Sequence, residues 1–105
     1  MRILFDQGTP VPLKGILTSH EIETATEKGW SSLSNGDLLN EAESNGFEAL
    51  ITTDQNLQYQ QNLAERSIAI VVLTRASWPK IQGKLEDVQA AIDGLRPGDY
   101  VEVEI

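Results

Sequence analysis

The sequence predicts an α/β fold, with three layers in a Rossmann-like arrangement and a central, mostly parallel sheet of about five strands flanked by helices. Short β-branched runs alternate along the chain with longer stretches of helical spacing, which is typical of βαβ units. The run Ile68–Leu73 is continuously apolar, as expected of a strand that is covered on both faces. The chain of 105 residues has the size of a single domain spanning residues 1–105.

The first third of the chain begins with a predicted strand at Arg2–Asp6. Two prolines follow a Gly-Thr turn, and proline suits the first turn of a helix, so we expect a short helix at Val11–Leu17. The spacing of its apolar residues predicts one buried face. A less apolar strand is expected at His20–Thr24, followed by a helical turn at Ala25–Gly29 and a Ser-rich loop at Trp30–Asn35.

The middle of the chain is predicted to form a helix at Asp37–Asn45, with Gly46 as its left-handed stop. Ala49–Thr53 is a short apolar run that ends before an aspartate, which favours a central buried strand. The polar stretch Asn56–Glu65 has the spacing of another helix, and it precedes the strand at Ile68–Leu73.

The last third of the chain is predicted to form one helix and one strand. Trp78 and Pro79 open the helix, whose apolar residues recur at steps of three or four as far as Leu95. A Pro-Gly-Asp turn then leads into a terminal strand at Tyr100–Ile105.

Composition limits the classes of function. Sixteen acidic residues stand against eight basic residues, which gives a formal charge of −8 and disfavours non-specific binding to nucleic acid. The absence of cysteine excludes a disulfide scaffold. No apolar run approaches the ~20 residues that a membrane-spanning helix needs. We therefore expect a soluble, cytoplasmic protein with no membrane partner.

Three aspartates fall where a parallel sheet binds its ligands. Asp6 and Asp54 end predicted strands and Asp37 opens a predicted helix, so all three are expected to converge at one edge of the sheet. Convergent carboxylates repel each other unless a divalent cation such as Mg²⁺ or Mn²⁺ lies between them. Such a cation activates water for attack on a phosphodiester. Each acid is alternatively a turn former or a cap, and Asp37 gains from the helix dipole in either case.

Three segments carry a resemblance to a known family. Ile3–Pro10, Gly29–Leu39 and Leu50–Leu57 resemble the short prokaryotic PIN-like proteins that are predicted toxin components of toxin–antitoxin systems. The likeness continues through Tyr59–Ala64, Ile68–Leu73 and the Trp-Pro pair, so it covers nearly the whole chain. It implies a PIN-like domain that cleaves RNA with an acidic cluster holding Mg²⁺ or Mn²⁺. It also implies an antitoxin partner and a homodimer.

Carried over by position, the resemblance assigns Asp6, Asp37 and Asp54 as catalytic residues and metal ligands. Asn56 and Thr53 are candidate supporting residues, and Arg75 and Tyr59 are candidate RNA contacts. Each has a structural alternative: a helix cap for Asn56, a strand residue for Thr53, a solvated charge for Arg75 and a polar helix face around Tyr59.

The resemblance is incomplete at two positions. Gln7 and Asn56 stand where related sequences often have acids, which leaves three carboxylates. The alternative function is therefore a degenerate, non-catalytic module that binds a protein partner or RNA. A phosphoacceptor domain of the response-receiver type is a third hypothesis, disfavoured because the core strand that ends at Leu73 is followed by Thr74 and Arg75 and not by a lysine.

Overall fold

Five parallel strands form the sheet of the computed structural model, which describes residues 1–57, 63 and 66–105. They are β1 (Arg2–Phe5), β2 (Glu21–Thr24), β3 (Ala49–Thr52), β4 (Ala69–Leu73) and β5 (Tyr100–Val103). Their order across the sheet is β2-β1-β3-β4-β5, and every neighbouring pair is parallel. The central strands β3 and β4 are buried along their whole length, as their apolar sequences predict. The predicted α/β class is confirmed.

Helices cover both faces of the sheet, since alternate strand residues point to opposite sides. The helices of the described residues are a 3₁₀ helix (Val11–Gly15), α1 (Asn35–Ser44), α2 (Trp78–Gln82) and α3 (Leu85–Asp93). Ile3 and Phe5 belong to a core beneath the 3₁₀ helix, α2 and α3, whereas Leu4 belongs to a second core beneath α1. None of the helices within the described ranges is long and apolar enough to cross a membrane.

The prediction of one continuous helix from Trp78 to Leu95 is wrong, because the chain breaks at Gly83 and Lys84. The Gly83 N–H closes a tight turn on the Lys80 carbonyl at 3.2 Å. Lys84 then adopts φ −128°, outside the helical region, before α3 begins. The apolar spacing survives the break, since Ile81, Val88 and Ile92 lie in the same core.

The segment predicted as a helix at Val11–Leu17 forms only the short 3₁₀ helix, and its predicted buried face is wrong. Leu13 and Leu17 are buried, but Val11 is 59% exposed and Ile16 is 36% exposed. The 3₁₀ helix ends at Gly15, so Ile16 and Leu17 lie beyond it, and with three residues per turn Val11 and Leu13 do not share a face.

The helix predicted at Asn56–Glu65 falls largely on residues 58–62, 64 and 65, which lie outside the described part of the chain. Leu57 is buried in the core beneath α1, and Leu63 packs against the same core. These two leucines therefore lie on the α1 face of the sheet.

The connection from β4 to β5 differs in hand from the connection between β2 and β3. Both advance in the same direction across the sheet, yet α1 covers one face and α2 and α3 cover the other. The two connections are therefore of opposite hand, although crossovers between parallel strands are right-handed in nearly all cases. As a result, no described helix covers Glu102 on the α1 side of β5, and its side chain is exposed.

An ion pair joins α1 to the segment that leads into β4. Arg66 Nη1 lies 2.6 Å from Glu43 Oε1, while the backbone N–H and the hydroxyl of Ser67 both donate to Glu43 Oε2 at 3.1 Å. Burial by itself raises the pKa of Glu43. The hydrogen bonds from Arg66 and Ser67 outweigh burial and hold this pKa below its ordinary value.

Candidate functional site

The carboxyl ends of β1 and β3 form a topological switch point. These strands are neighbours, but the chain leaves β1 towards β2 and leaves β3 towards β4, on opposite sides. Connections that diverge in this way open a crevice, which is where open α/β sheets bind ligands. Asp6 follows β1 directly and Asp54 lies two residues beyond β3, so both predicted acids lie at this crevice.

The hydroxyl of Thr52 links the two aspartates. It donates to Asp6 Oδ2 at 2.8 Å and accepts the backbone N–H of Asp54 at 3.1 Å. Thr52 is the last residue of β3 and only 1% exposed, so its rotamer is fixed by the core around it. The other oxygen of Asp6, Oδ1, accepts the N–H of Gln7 at 2.8 Å.

Asp54 is held at both carboxylate oxygens. Its Oδ1 accepts the N–H of Asn56 at 2.9 Å, and its Oδ2 accepts the side-chain amide of Asn35 at 3.0 Å. Asn35 is the first residue of α1, although the sequence predicts a loop at this position and Asn35 is not among the predicted site residues. Ser34 is a preferred helix cap and could have identified Asn35 as a candidate, because the residue after the cap lies at the edge where the strands end.

Asp37 is placed differently from the other two acids. It is the third residue of α1, its N–H donates to Ser34 Oγ at 3.3 Å, and its side chain is exposed. Two helical steps rotate a side chain by about 200°, so Asp37 points away from the face on which Asn35 meets Asp54. Within residues 1–57, 63 and 66–105, no three acid, histidine or cysteine side chains are grouped to hold one metal ion.

The loop after β1 folds tightly over the end of β3. Thr9 is buried, and its hydroxyl donates to the Ile51 carbonyl at 2.8 Å, the same oxygen that accepts the N–H of Asp6 at 2.9 Å. A Cβ on Gly8 would lie 2.7 Å from the hydroxyl of Thr53. Thr53 is therefore packed beneath this loop, next to the two aspartates.

Asn56 and Arg75, two further predicted residues, lie around the same edge. Asn56 is exposed and meets Asp54 through its backbone N–H. Arg75 is exposed, two residues beyond β4, and lines a cavity of about 510 Å³ with Gln55. Tyr59 lies outside the described residues.

Comparison with known proteins gives no match: no family model, no curated protein and no solved structure matches the chain.

The chemistry of the site follows from the oxygen atoms that it offers as metal ligands. Asp6 and Asp54 supply carboxylate oxygens, and Thr52 and Asn35 orient them. Neither aspartate forms an ion pair with any residue that the structure describes. Mg²⁺ binds through one or two carboxylates, retains several waters and takes further oxygens from substrate phosphates. The oxygen donors at this edge fit that mode of binding.

Proposed function

We propose that this protein is a metal-dependent ribonuclease of the PIN-like type that hydrolyses RNA phosphodiesters. The observation that carries the proposal is the position of Asp6 and Asp54 at the switch point. Thr52 donates to the Asp6 carboxylate and accepts the backbone N–H of Asp54, Asn35 donates to the Asp54 carboxylate, and neither carboxylate has a cationic partner among the described residues. Two ordered carboxylates without a counter-charge favour a bound divalent cation, Mg²⁺ or Mn²⁺.

Each residue has a defined task in this mechanism. When bound, the cation supplies positive charge that polarises the phosphodiester and lowers the pKa of the attacking water. Asp6 and Asp54 bind the cation, Thr52 fixes the orientation of Asp6, and Asn35 fixes that of Asp54. No histidine base is required. His20, the single histidine, precedes β2 at the opposite edge of the sheet, with Nε2 3.6 Å from Asp93.

The net charge of −8 weakens binding of a polyanion, so a bound cation strengthens substrate binding as well as supplying the chemistry. Two carboxylates alone repel a phosphate at this edge. Arg75, also beyond the carboxyl ends of the strands, contributes positive charge there. The resemblance to PIN-like proteins further favours a cytoplasmic toxin component that pairs with an antitoxin protein and forms a homodimer.

Calorimetric titration of Mn²⁺ and Mg²⁺ tests the proposal, with cleavage of a single-stranded RNA followed in the same samples. We expect saturable binding and metal-dependent cleavage in the wild type, and loss of both in Asp6→Asn/Asp54→Asn. Asp37→Asn is the matched control, since it removes one carboxylate from the exposed side of α1 and should leave metal affinity nearly unchanged. Equal losses in Asp37→Asn would contradict this assignment of the ligands.

Asn35→Asp provides a test in the opposite direction. A third carboxylate next to Asp54 adds Coulomb attraction for a cation, so Mn²⁺ affinity should rise by roughly tenfold. Without metal, the same variant should unfold at a lower temperature than the wild type, because two carboxylates then face each other. Unchanged Mn²⁺ affinity would place the metal, if one binds, away from Asp54.

A non-catalytic module is the second candidate, and the exposed position of Asp37 favours it because only two carboxylates meet at the crevice. In this case neither metal binds at millimolar concentration, and the Asp6→Asn/Asp54→Asn variant binds RNA or its protein partner as the wild type does. The two functions are therefore separated by the same titration.

A further inference from the structure

The edge of the sheet that carries Asp6 and Asp54 has a second feature, a cavity of about 510 Å³ beyond the carboxyl ends of β4 and β5. Its volume lies within the range of small-molecule sites, roughly 300–1,000 Å³. The cavity adjoins the candidate site, because Gln55 lines it and is the residue after Asp54. Six residues line it: Gln55, Thr74, Arg75, Glu102, Glu104 and Ile105.

Hydrogen bonds fix the walls of this cavity. The side-chain amide of Gln55 donates to the Thr74 carbonyl at 2.9 Å, and the Thr74 hydroxyl accepts the N–H of Ile105 at 2.8 Å. The N–H of Thr74 donates to Val103 at 3.1 Å, which continues the pairing of β4 with β5. These bonds order the backbone of the cavity, Gln55 and Thr74 before a ligand arrives, whereas the exposed side chains of Arg75, Glu102 and Glu104 become ordered on binding.

The chemical groups in the cavity are complementary to a nucleotide. Glu102 and Glu104 are exposed and form no ion pair in the described part of the chain, so their side chains are available to a ligand. A carboxylate accepts hydrogen bonds and donates none. Arg75 likewise has no carboxylate partner there, and guanidinium groups bind phosphate or stack on bases. Ile105 adds an apolar surface.

We propose that this cavity binds the base of the nucleotide next to the cleaved phosphodiester, with Glu102 and Glu104 as specificity-determining residues. This inference rests on the ribonuclease function proposed above. Adenine, cytosine and guanine carry amino groups that can donate hydrogen bonds to carboxylates. Uracil has one N–H between two carbonyl oxygens, and these oxygens repel a carboxylate. Arg75 pairs with the adjoining phosphate. The enzyme therefore discriminates against uridine at one position beside the cut.

Mapping of cleavage ends tests this inference. A single-stranded RNA of random sequence is incubated with the full-length protein and Mn²⁺, and the new ends are sequenced. We expect uridine to be depleted by roughly tenfold at one fixed position, as one good base contact gives. Glu102→Gln/Glu104→Gln should abolish the depletion, while Glu86→Gln, an exposed acid on α3 that does not line the cavity, should preserve it.

Binding of labelled hexanucleotides without metal separates this inference from the proposed function. Fluorescence anisotropy should show tighter binding of oligo-A and oligo-C than of oligo-U, with the difference lost in the Glu102→Gln/Glu104→Gln variant. Mn²⁺-dependent cleavage without any base preference overturns the inference and leaves the ribonuclease intact. If the protein cleaves no RNA but still binds oligo-A and oligo-C more tightly than oligo-U, and this difference depends on both glutamates, the ribonuclease function is wrong and the base-binding site is retained.

Two further outcomes also overturn the inference. Uniformly tighter binding of all hexanucleotides to the double variant means that the glutamates only repel phosphate. An arginine-rich decapeptide whose binding is abolished in the double variant, with RNA preference unchanged, assigns the cavity to a basic protein segment.

Discussion

The hydroxyl of Thr52 offers the sharpest test of how this site is built. Thr52→Val keeps the shape of the side chain and removes both of its hydrogen bonds, one to the Asp6 carboxylate and one from the Asp54 N–H. A hydrogen bond to a charged group contributes about 1.5–3 kcal/mol, and a neutral one contributes about 1 kcal/mol. The added methyl group offsets about 0.8 kcal/mol of this loss. We therefore expect the free energy of unfolding to fall by about 2–3 kcal/mol.

Thr52→Ser is the matched variant, since it retains the hydroxyl and loses one buried methyl group. That loss costs about 1 kcal/mol at a site that is 1% exposed. Urea denaturation, followed through the fluorescence of Trp30 and Trp78, should rank the wild type first, serine second and valine last. Because Thr52 orients Asp6, valine should also weaken Mn²⁺ binding more than serine does. A valine variant more stable than the serine variant would refute the proposed role of the hydroxyl.

Two other predictions concern stability. The hydrogen bonds from Arg66 and Ser67 hold the folded pKa of Glu43 below its ordinary value, so the contribution of Glu43 to stability is complete above that ordinary value and is lost as the pH falls through the folded pKa. Urea denaturation of the wild type and of Glu43→Gln should give free energies of unfolding that converge in acid, and a difference that does not change with pH would contradict the ion pair with Arg66. Gly8→Ala should lower the melting temperature because its Cβ meets the Thr53 hydroxyl, whereas Gly15→Ala, with no atom within 4 Å of its Cβ, should not. Thr53→Ala should restore stability to the Gly8→Ala variant, and failure to do so would place the strain elsewhere.

Much of the fold was predictable from local pattern. The strands were located to within one or two residues at their ends, because β-branched runs bounded by polar residues specify their own secondary structure. The glycine stop at Gly46 was also predictable, and this residue adopts φ +79° as a left-handed helix terminus requires. The break at Gly83 was missed because apolar periodicity continues through it.

Only part of the candidate site could be predicted from the sequence. Asp6 and Asp54 were identified because the carboxyl ends of parallel strands share an edge. The sequence favours Asp37 over Asn35 because Asp37 is charged. The sequence does not reveal which face of the helix carries each side chain. A two-residue difference at a helix start reverses that face.

Local sequence pattern is sufficient to predict the α/β class, the burial of β3 and β4, and the position of two carboxylates after their strands, since each of these depends on neighbouring residues. The other features of the site depend on the packing of whole elements. The strand order joined Asp6 to Asp54 through Thr52, and the hand of the β4–β5 connection left Glu102 exposed beside Arg75. Contacts between residues far apart in the chain depend on how whole elements pack, and a local sequence pattern does not contain that information.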